Sequence, residues 1–370
     1  MQKKLIALAV AAVISAPAFA DVTPYGIVDG AIANVTGDGQ KSQLLALSGG
    51  ASTSRLGVKV TEDLGNGLTA VGVIEYGLDI DTNQQAAPTT TVGTSTTTTT
   101  GGNGAATSAV SNLAARQQML ALAGSFGTVA TGYLQTTGYD FEGKFDPLAG
   151  SSASPLQSMN KKMLIGTVAV AARAQRALAY ISPDFNGLSF AVNYSTALSG
   201  TGNLALASTA ADANVTAALA SVSYAAGPLA VGAVYAGTTN PVSTADTKDY
   251  ALGGSYDFGV AKLLGTYQTS TTNSVATKVL SLSGVLPVGA DAVAVSYAKN
   301  TSDTANAGAS GYTVGYLHTL SKTTTAYAAY ESVTNESGVA TFGVDNNAFV
   351  SNLKAGGSQS LVGVGLRKKF

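Results

Sequence analysis

Catalysis and metal binding need particular side chains at particular spacings, and this sequence holds few of them. It has no cysteine and a single histidine, His318. Thiolate or imidazole clusters that would hold a transition metal are therefore absent, and no metal or other cofactor is expected. His318 falls in a run that reads as a strand, and a Ser-His-Asp arrangement needs partners that the sequence does not show. No catalytic residue is expected, and the chain does not read as an enzyme. Carboxylates could hold Ca²⁺ through oxygen, but no spacing here demands it. What remains is sparse charge. Charged residues make up 11% of the chain, against about 25% in ordinary soluble domains. The informative charges are those set inside runs of apolar and small residues. Arg55 and Lys59 share one face of such a run, opposite Leu56, Val58 and Val60. Glu75 lies with Val71 and Val73, opposite Ile74 and Tyr76. Simple alternation puts Arg116 with Leu120 and Leu122, so it must stand at a strand end or beyond a bulge.

The elements that carry these charges are segments of about ten residues that alternate with period two. In 290–299, Val293, Val295 and Tyr297 oppose Ala292, Ala294, Ser296 and Ala298; in 261–268, Leu263 and Tyr267 oppose Leu264, Thr266 and Gln268. Side chains alternate across a strand, so one set can face lipid and the other a lumen. Sixteen strands are predicted: 22–36, 53–62, 69–79, 113–123, 128–136, 176–182, 188–199, 214–226, 229–239, 248–258, 260–272, 276–287, 290–301, 309–320, 323–334 and 360–370. Short turns such as Asn66-Gly67 and Gly227-Pro228 join many of them and suit tight hairpins. Two insertions stand out. Residues 86–112 form a Thr/Ser/Gly tract whose composition cannot build a core. Residues 137–175 contain Tyr139, Asp140, Phe141, Glu142, Phe145 and Asp146, and a connection of that length and content reads as an ordered functional loop.

The first twenty residues set the compartment. Lys3 and Lys4 precede an apolar run from Leu5 to Ser15, and Ala18-Phe19-Ala20 places small residues where a signal peptidase reads. Residues 1–20 are expected to be a cleaved signal peptide, and 21–370 the folded domain. The run is too short to span a bilayer, which needs about 20 residues. Removing Lys3 and Lys4 from 20 basic residues leaves 18 against 21 acidic ones, a mature net charge of −3. Nothing is basic enough to suggest nucleic-acid binding. An exported, charge-poor chain rich in Gly, Thr and Tyr, with no spanning helix, has one good solution. It is a closed transmembrane barrel, which leaves no backbone group unpaired in lipid.

Four stretches resemble the general trimeric porins of β-proteobacteria of the Neisseria and Burkholderia type. They are Ser54-Arg55-Leu56-Gly57-Val58-Lys59-Val60-Thr61-Glu62-Asp63-Leu64-Gly65-Asn66-Gly67-Leu68, Gly124-Ser125-Phe126-Gly127-Thr128-Val129, Tyr180-Ile181-Ser182-Pro183-Asp184-Phe185-Asn186-Gly187-Leu188, and Val362-Gly363-Val364-Gly365-Leu366-Arg367-Lys368-Lys369-Phe370. They occur in the family's order across nearly the whole mature chain. The resemblance implies an all-β fold, a 16-stranded antiparallel transmembrane β-barrel whose third loop folds inward. It implies a water-filled channel for ions and small hydrophilic solutes in the outer membrane of a Gram-negative bacterium, reached by export through the periplasm. It also implies a homotrimer in contact with outer-membrane lipid and lipopolysaccharide.

Carried over by position, the resemblance places a constriction where loop carboxylates face wall cations. The loop candidates are Asp140, Glu142 and Asp146. The wall candidates are Arg55, Lys59, Arg116, Arg173 and Arg176, with Glu75 as a lumen-facing glutamate. Phe370 is the terminal aromatic associated with membrane insertion. Two positions depart from the pattern: Tyr133 and Ala179 stand where the family often has arginine. Modest selectivity is therefore expected. The competing readings are a plugged outer-membrane barrel acting as an adhesin or structural surface protein, a soluble β-sandwich, and a lipid-hydrolysing barrel with a serine near His318.

Overall fold

The computed structural model describes residues 20–81, 114–160, 163–196, 215–239 and 246–370. The predicted Thr-rich loop 86–112 and all but the last residue of the predicted signal peptide lie outside these. The described chain is dominated by seventeen antiparallel strands. In chain order they are β1 (Asp21–Gly37), β2 (Gln43–Ser48), β3 (Arg55–Gly65), β4 (Leu68–Gly77), β5 (Ala114–Gly124), β6 (Gly127–Gln135), β7 (Arg173–Ile181), β8 (Leu188–Ser195), β9 (Thr216–Ala226), β10 (Leu229–Thr239), β11 (Thr247–Asp257), β12 (Lys262–Thr272), β13 (Val275–Val288), β14 (Asp291–Ser302), β15 (Ala309–Ser321), β16 (Thr324–Asn335) and β17 (Ser358–Lys369).

From β3 on each strand pairs with the next, and β17 returns to pair with β1, so the sheet closes. The short β2 and the long β3 both pair with β1, at Gly30–Val35 and Asp21–Ile27 respectively. They are two halves of one stave, which makes a sixteen-stave barrel. The sequence reading had this stave begin at 53 and missed β2. The reason lies at Asp29. Its carbonyl accepts from Gly49 N at 2.8 Å, and its amide donates to Ser54 Oγ at 3.0 Å. Its carboxylate accepts from Ser52 N at 2.9 Å. Residues 49–54 are thereby pulled out of the ladder into the lumen, and a run that would alternate continuously is broken in two.

The alternation sorts the faces as expected. On β14, Val295 and Tyr297 are exposed while Ala294, Ser296 and Ala298 are buried. On β12, Leu263 and Tyr267 are exposed while Leu264, Thr266 and Gln268 are buried. The exposed face is an apolar belt that only lipid can cover at acceptable cost. The inward face is small and hydroxylated, with cross-strand pairs such as Thr266–Ser281 at 2.7 Å and Ser283–Ser296 at 2.8 Å. The terminal Phe370 pairs with Gly26, each amide donating to the other's carbonyl at 3.1 Å, and its ring is exposed on the outer face.

Residues 136–160 and 163–172 fold against the inner wall and contain two short helices, α1 (Thr137–Phe145) and α2 (Pro155–Asn160). Helix α1 buries Phe141 and Phe145 in a cluster with Ala177, Ala179, Leu219 and Val234 of the wall. Helix α2 buries Leu156 and Met159 with Val279, Ala298 and Val333. The wall is built to receive them. A Cβ at Gly253 of β11 would fall 2.5 Å from the Phe145 ring and 2.8 Å from that of Phe141. Glycine there lets two phenylalanines lie against the strand backbone. Ala179, one of the two departures from the family pattern, belongs to the same buried cluster.

Candidate pore constriction

The charged wall is assembled from β1, β3, β4, β5 and β7. Tyr25, Arg55 and Glu75 come from three adjacent staves, facing inward. A Cβ at Gly57 would sit 2.4 Å from the Tyr25 ring, so the glycine lets Tyr25 cross β3 toward Glu75. Tyr25 Oη donates to Glu75 Oε2 at 3.1 Å. Arg55 Nε lies 3.7 Å from that same oxygen. Arg116 Nε donates to Glu75 Oε1 at 2.7 Å, a charge-assisted bond between two largely buried groups. Arg116 reaches the lumen because β4 and β5 slip register at this point. Glu75 pairs with Gln117 and Tyr76 with Ala115, leaving Arg116 as the extra residue. A bulge of this kind reverses side-chain direction, and alternation alone gave the wrong face.

The loop meets this wall through Tyr139 of α1. Arg116 Nη2 donates to Tyr139 Oη at 3.4 Å, and the Arg173 guanidinium carbon lies 4.9 Å from the centre of the Tyr139 ring. Tyr139 thus bridges two arginines. Arg173 Nε and Nη2 are buried without a hydrogen-bond partner among the described residues. Lys59 is exposed on the lumen face of β3, nearer the end that carries the Asn66-Gly67 turn. Arg176 stands apart. It occupies a second bulge, where Gly132 pairs with Ala177 and Leu134 with Ala174, and its φ is 47°. It is exposed and makes no ion pair among the described residues.

The three loop carboxylates divide. Asp140 is open to lumen water, yet the surrounding wall desolvates it enough to raise its pKa, an effect opposed by the Gln135 amide and the Lys144 charge. Glu142 and Asp146 are fully buried and turn into the loop's own interior. Glu142 accepts from Asn160 Nδ2 and from the Thr167 amide and hydroxyl. Asp146 accepts from Ser154 Oγ at 2.6 Å and from Leu148 N at 2.9 Å. Burial, reinforced for Glu142 by the charge of Asp146, pushes Glu142 up to about 7. Burial alone carries Asp146 up to about 6. These two residues hold the loop together and do not present charge to the pore. At this wall, then, Arg55, Arg116 and Arg173 gather around the single carboxylate of Glu75, while Asp140 lies beside Gln135 and Lys144.

Tyr25 and Tyr139 complete this cluster, and the sequence reading did not assign them. A signal for Tyr25 was present: Asp29, four residues on in the same strand, is a mid-strand charge that must face inward, which places Tyr25 inward too. Tyr133 lines the space beside Arg116 and Arg173. His318 lies on the outer face with Tyr316, their rings stacked at 6.5 Å, and its Nδ1 is 2.7 Å from Asp291 Oδ1. Among the described residues no serine hydroxyl meets it, and no group of three His, Asp or Glu side chains is placed to hold a metal ion.

The sequence matches the family model for Gram-negative porins over residues 7–338. Outer membrane porin protein 32 of Delftia acidovorans is 30% identical, with both chains covered over 100% of their length. An outer membrane porin protein of Bordetella pertussis is 27% identical over 73% of this chain and 70% of that protein. Among solved structures, the anion-selective porin from Comamonas acidovorans superposes with a TM-score of 0.77 at 26% identity, over 95% of this chain and 100% of that one. Salmonella typhi OmpF, at 17% identity, shares the fold with a TM-score of 0.64 over 94% of this chain and 97% of that one. A closed sixteen-stave barrel, an apolar outer belt and a charged inner wall join these likenesses in one conclusion: the chain belongs to the Gram-negative porin family and forms an outer-membrane channel for diffusion of small hydrophilic solutes.

Proposed function

We propose that this channel prefers anions, and that the preference comes from the wall. The observation that carries this is the charge balance at the constriction. Arg55, Arg116 and Arg173 stand against Glu75, Asp140 lies beside Lys144, and Glu142 and Asp146 are folded away from water. Pore-lining charge of one sign raises the local concentration of the opposite ion and steers it through the narrow section. The selectivity is thus stronger than two missing arginines suggest. The Comamonas porin, described as anion-selective, supports the same sign. Reversal potentials across a planar bilayer under a KCl gradient test it. A potential reporting chloride preference is expected; a cation-selective potential would overturn the proposal. Discrete conductance steps in the same recording separate an open channel from a plugged barrel.

The remaining parts of the reading follow from family membership. The mature chain begins at Asp21 after removal of residues 1–20. It works as a homotrimer without a cofactor, in contact with lipid and lipopolysaccharide along its apolar belt, and carries out transport, not catalysis. Phe370 directs insertion, and its deletion should lower the yield of heat-modifiable barrel in the outer membrane. Sedimentation in detergent before and after heating tests the trimer.

A further inference from the structure

On the side of the loop facing extracellular solution, the lumen holds two recesses of opposite character. One, of about 440 Å³, is cationic: Arg116 and Arg173 line it with Tyr133 and Gln175. The other, of about 760 Å³, lies between helix α2, the ends of β12–β14 and the segment 339–350. No charged side chain among the described residues lines this second recess. Half of its lining carries a hydroxyl or amide, including Ser158, Thr277 and Ser302, and half is apolar, including Met163, Val275 and Phe342. The exposed side chain of Val170 borders both recesses, so they adjoin at this residue.

This pairing has a chemical consequence. A chloride ion is drawn to the cationic recess by Arg116 and Arg173. A neutral solute gains nothing from that charge and finds hydroxyl, amide and apolar groups in the other. A small carboxylate with an uncharged body can place its anionic end near Arg116 and Arg173, and its body past Val170 in the other. Sites that bind small molecules combine apolar lining with a few polar groups that fix orientation, within volumes of about 300–1,000 Å³. Linking two weak contacts in one molecule makes the second intramolecular and strengthens the whole.

We propose that the two recesses form a bipartite solute subsite that favours small carboxylates carrying a hydroxylated, uncharged body. This rests on the channel reading and names the solute class. The test is block of single-channel chloride current by two acids with the same head group, acetate and 4-hydroxybenzoate. Half-block should need an about tenfold lower concentration of 4-hydroxybenzoate. The neutral 4-hydroxybenzyl alcohol should compete for the body recess and reduce that difference in the unaltered protein. Thr277→Phe, which narrows the recess with a bulky ring, should reduce it as well. Arg116→Gln should weaken block by both acids alike. Equal block by the two acids overturns the subsite, and so does a difference that neither the alcohol nor Thr277→Phe reduces. Either result leaves chloride conductance intact and the channel reading standing. Absence of conductance steps overturns the channel reading itself, and the subsite with it.

Discussion

The loop meets two sides of the barrel in different ways. Toward β5 and β7 it meets Arg116 and Arg173, through the hydroxyl and ring face of Tyr139. Toward β7–β16 it meets alanine, glycine, valine and small polar side chains through Phe141, Phe145, Leu156 and Met159, and the carboxylates of Asp249 and Glu331 accept from Leu164 N and Ser158 Oγ. The second side fixes the loop. Phe145 and Leu156 are almost wholly buried, and backbone carbonyls of the loop accept from the wall, Ala153 from Thr313 and Met159 from Asn300. The first side gathers the arginines. The difference teaches that the apolar seat and the arginine cluster are built from different residues, so each can be altered with limited effect on the other.

The largest effect should come from the side that holds the loop. Phe145→Ala removes a buried aromatic ring, a change that costs about 3–5 kcal/mol in a protein core. The loop should loosen from β10 and β11, with a higher and noisier single-channel conductance. Gly253→Leu should do the same by overpacking, at about 1–3 kcal/mol. If both variants conduct as the unaltered channel does, the apolar seat is not what holds the loop.

Next is the charged wall. Arg116→Gln leaves Glu75 with Arg55 at 3.7 Å as its remaining cation. Breaking a largely buried pair by removing one partner costs about 3–5 kcal/mol where water cannot enter, and less here beside the lumen. Chloride preference should fall clearly, read as a reversal potential shifted toward zero. The arginine's part in the field fails if the potential does not move.

A smaller effect separates the loop carboxylates. Asp140→Asn should raise chloride preference, because Asp140 faces lumen water. Asp146→Asn should leave the reversal potential unchanged, because its carboxylate lies inside the loop. Equal shifts from the two would mean that Asp146 also projects into the pore.

The pH dependence should be the subtlest. Glu142 is raised from 4.5 to about 7 and Asp146 from 3.8 to about 6. A carboxyl with a raised value in the folded loop binds its proton more tightly there than in the unfolded chain. Its contribution is complete below the ordinary carboxyl value and is lost as pH rises through the raised one. The loop should therefore be held best in acid and loosen toward pH 7. Glu142→Gln should flatten this trend, since its amide can donate to Asn160 Oδ1, which has no partner among the described residues. Melting temperatures in detergent at several pH values would show it, and an unchanged slope in Glu142→Gln would place the titration elsewhere.

Much of the barrel was legible because its signal is local. Each of the sixteen predicted strands overlaps an observed one, since lipid outside and water inside impose period two on every stave. Arg55, Lys59 and Glu75 faced the lumen for the same reason. Simple alternation stops informing where the ladder is interrupted. Arg116 turns inward at a bulge, Arg176 sits in another with positive φ, and β2 was lost where Asp29 draws 49–54 out of register. A bulge depends on the partner strand, which periodicity within one segment does not report.

By itself, then, the sequence determined the class of fold, the faces of its regular strands, the compartment it points to and the place of the long third loop. Hydrophobic alternation, low charge and turn chemistry are properties of neighbouring residues, and they suffice for that. Only the tertiary structure decided which charges meet. Whether Glu142 and Asp146 look into the pore or into the loop depends on Asn160, Thr167 and Ser154, which reach them by the folding of the loop. Whether Tyr139 serves the core or the constriction depends on arginines from two distant staves. Burial and pairing across the lumen are three-dimensional facts, which no run of neighbouring residues contains.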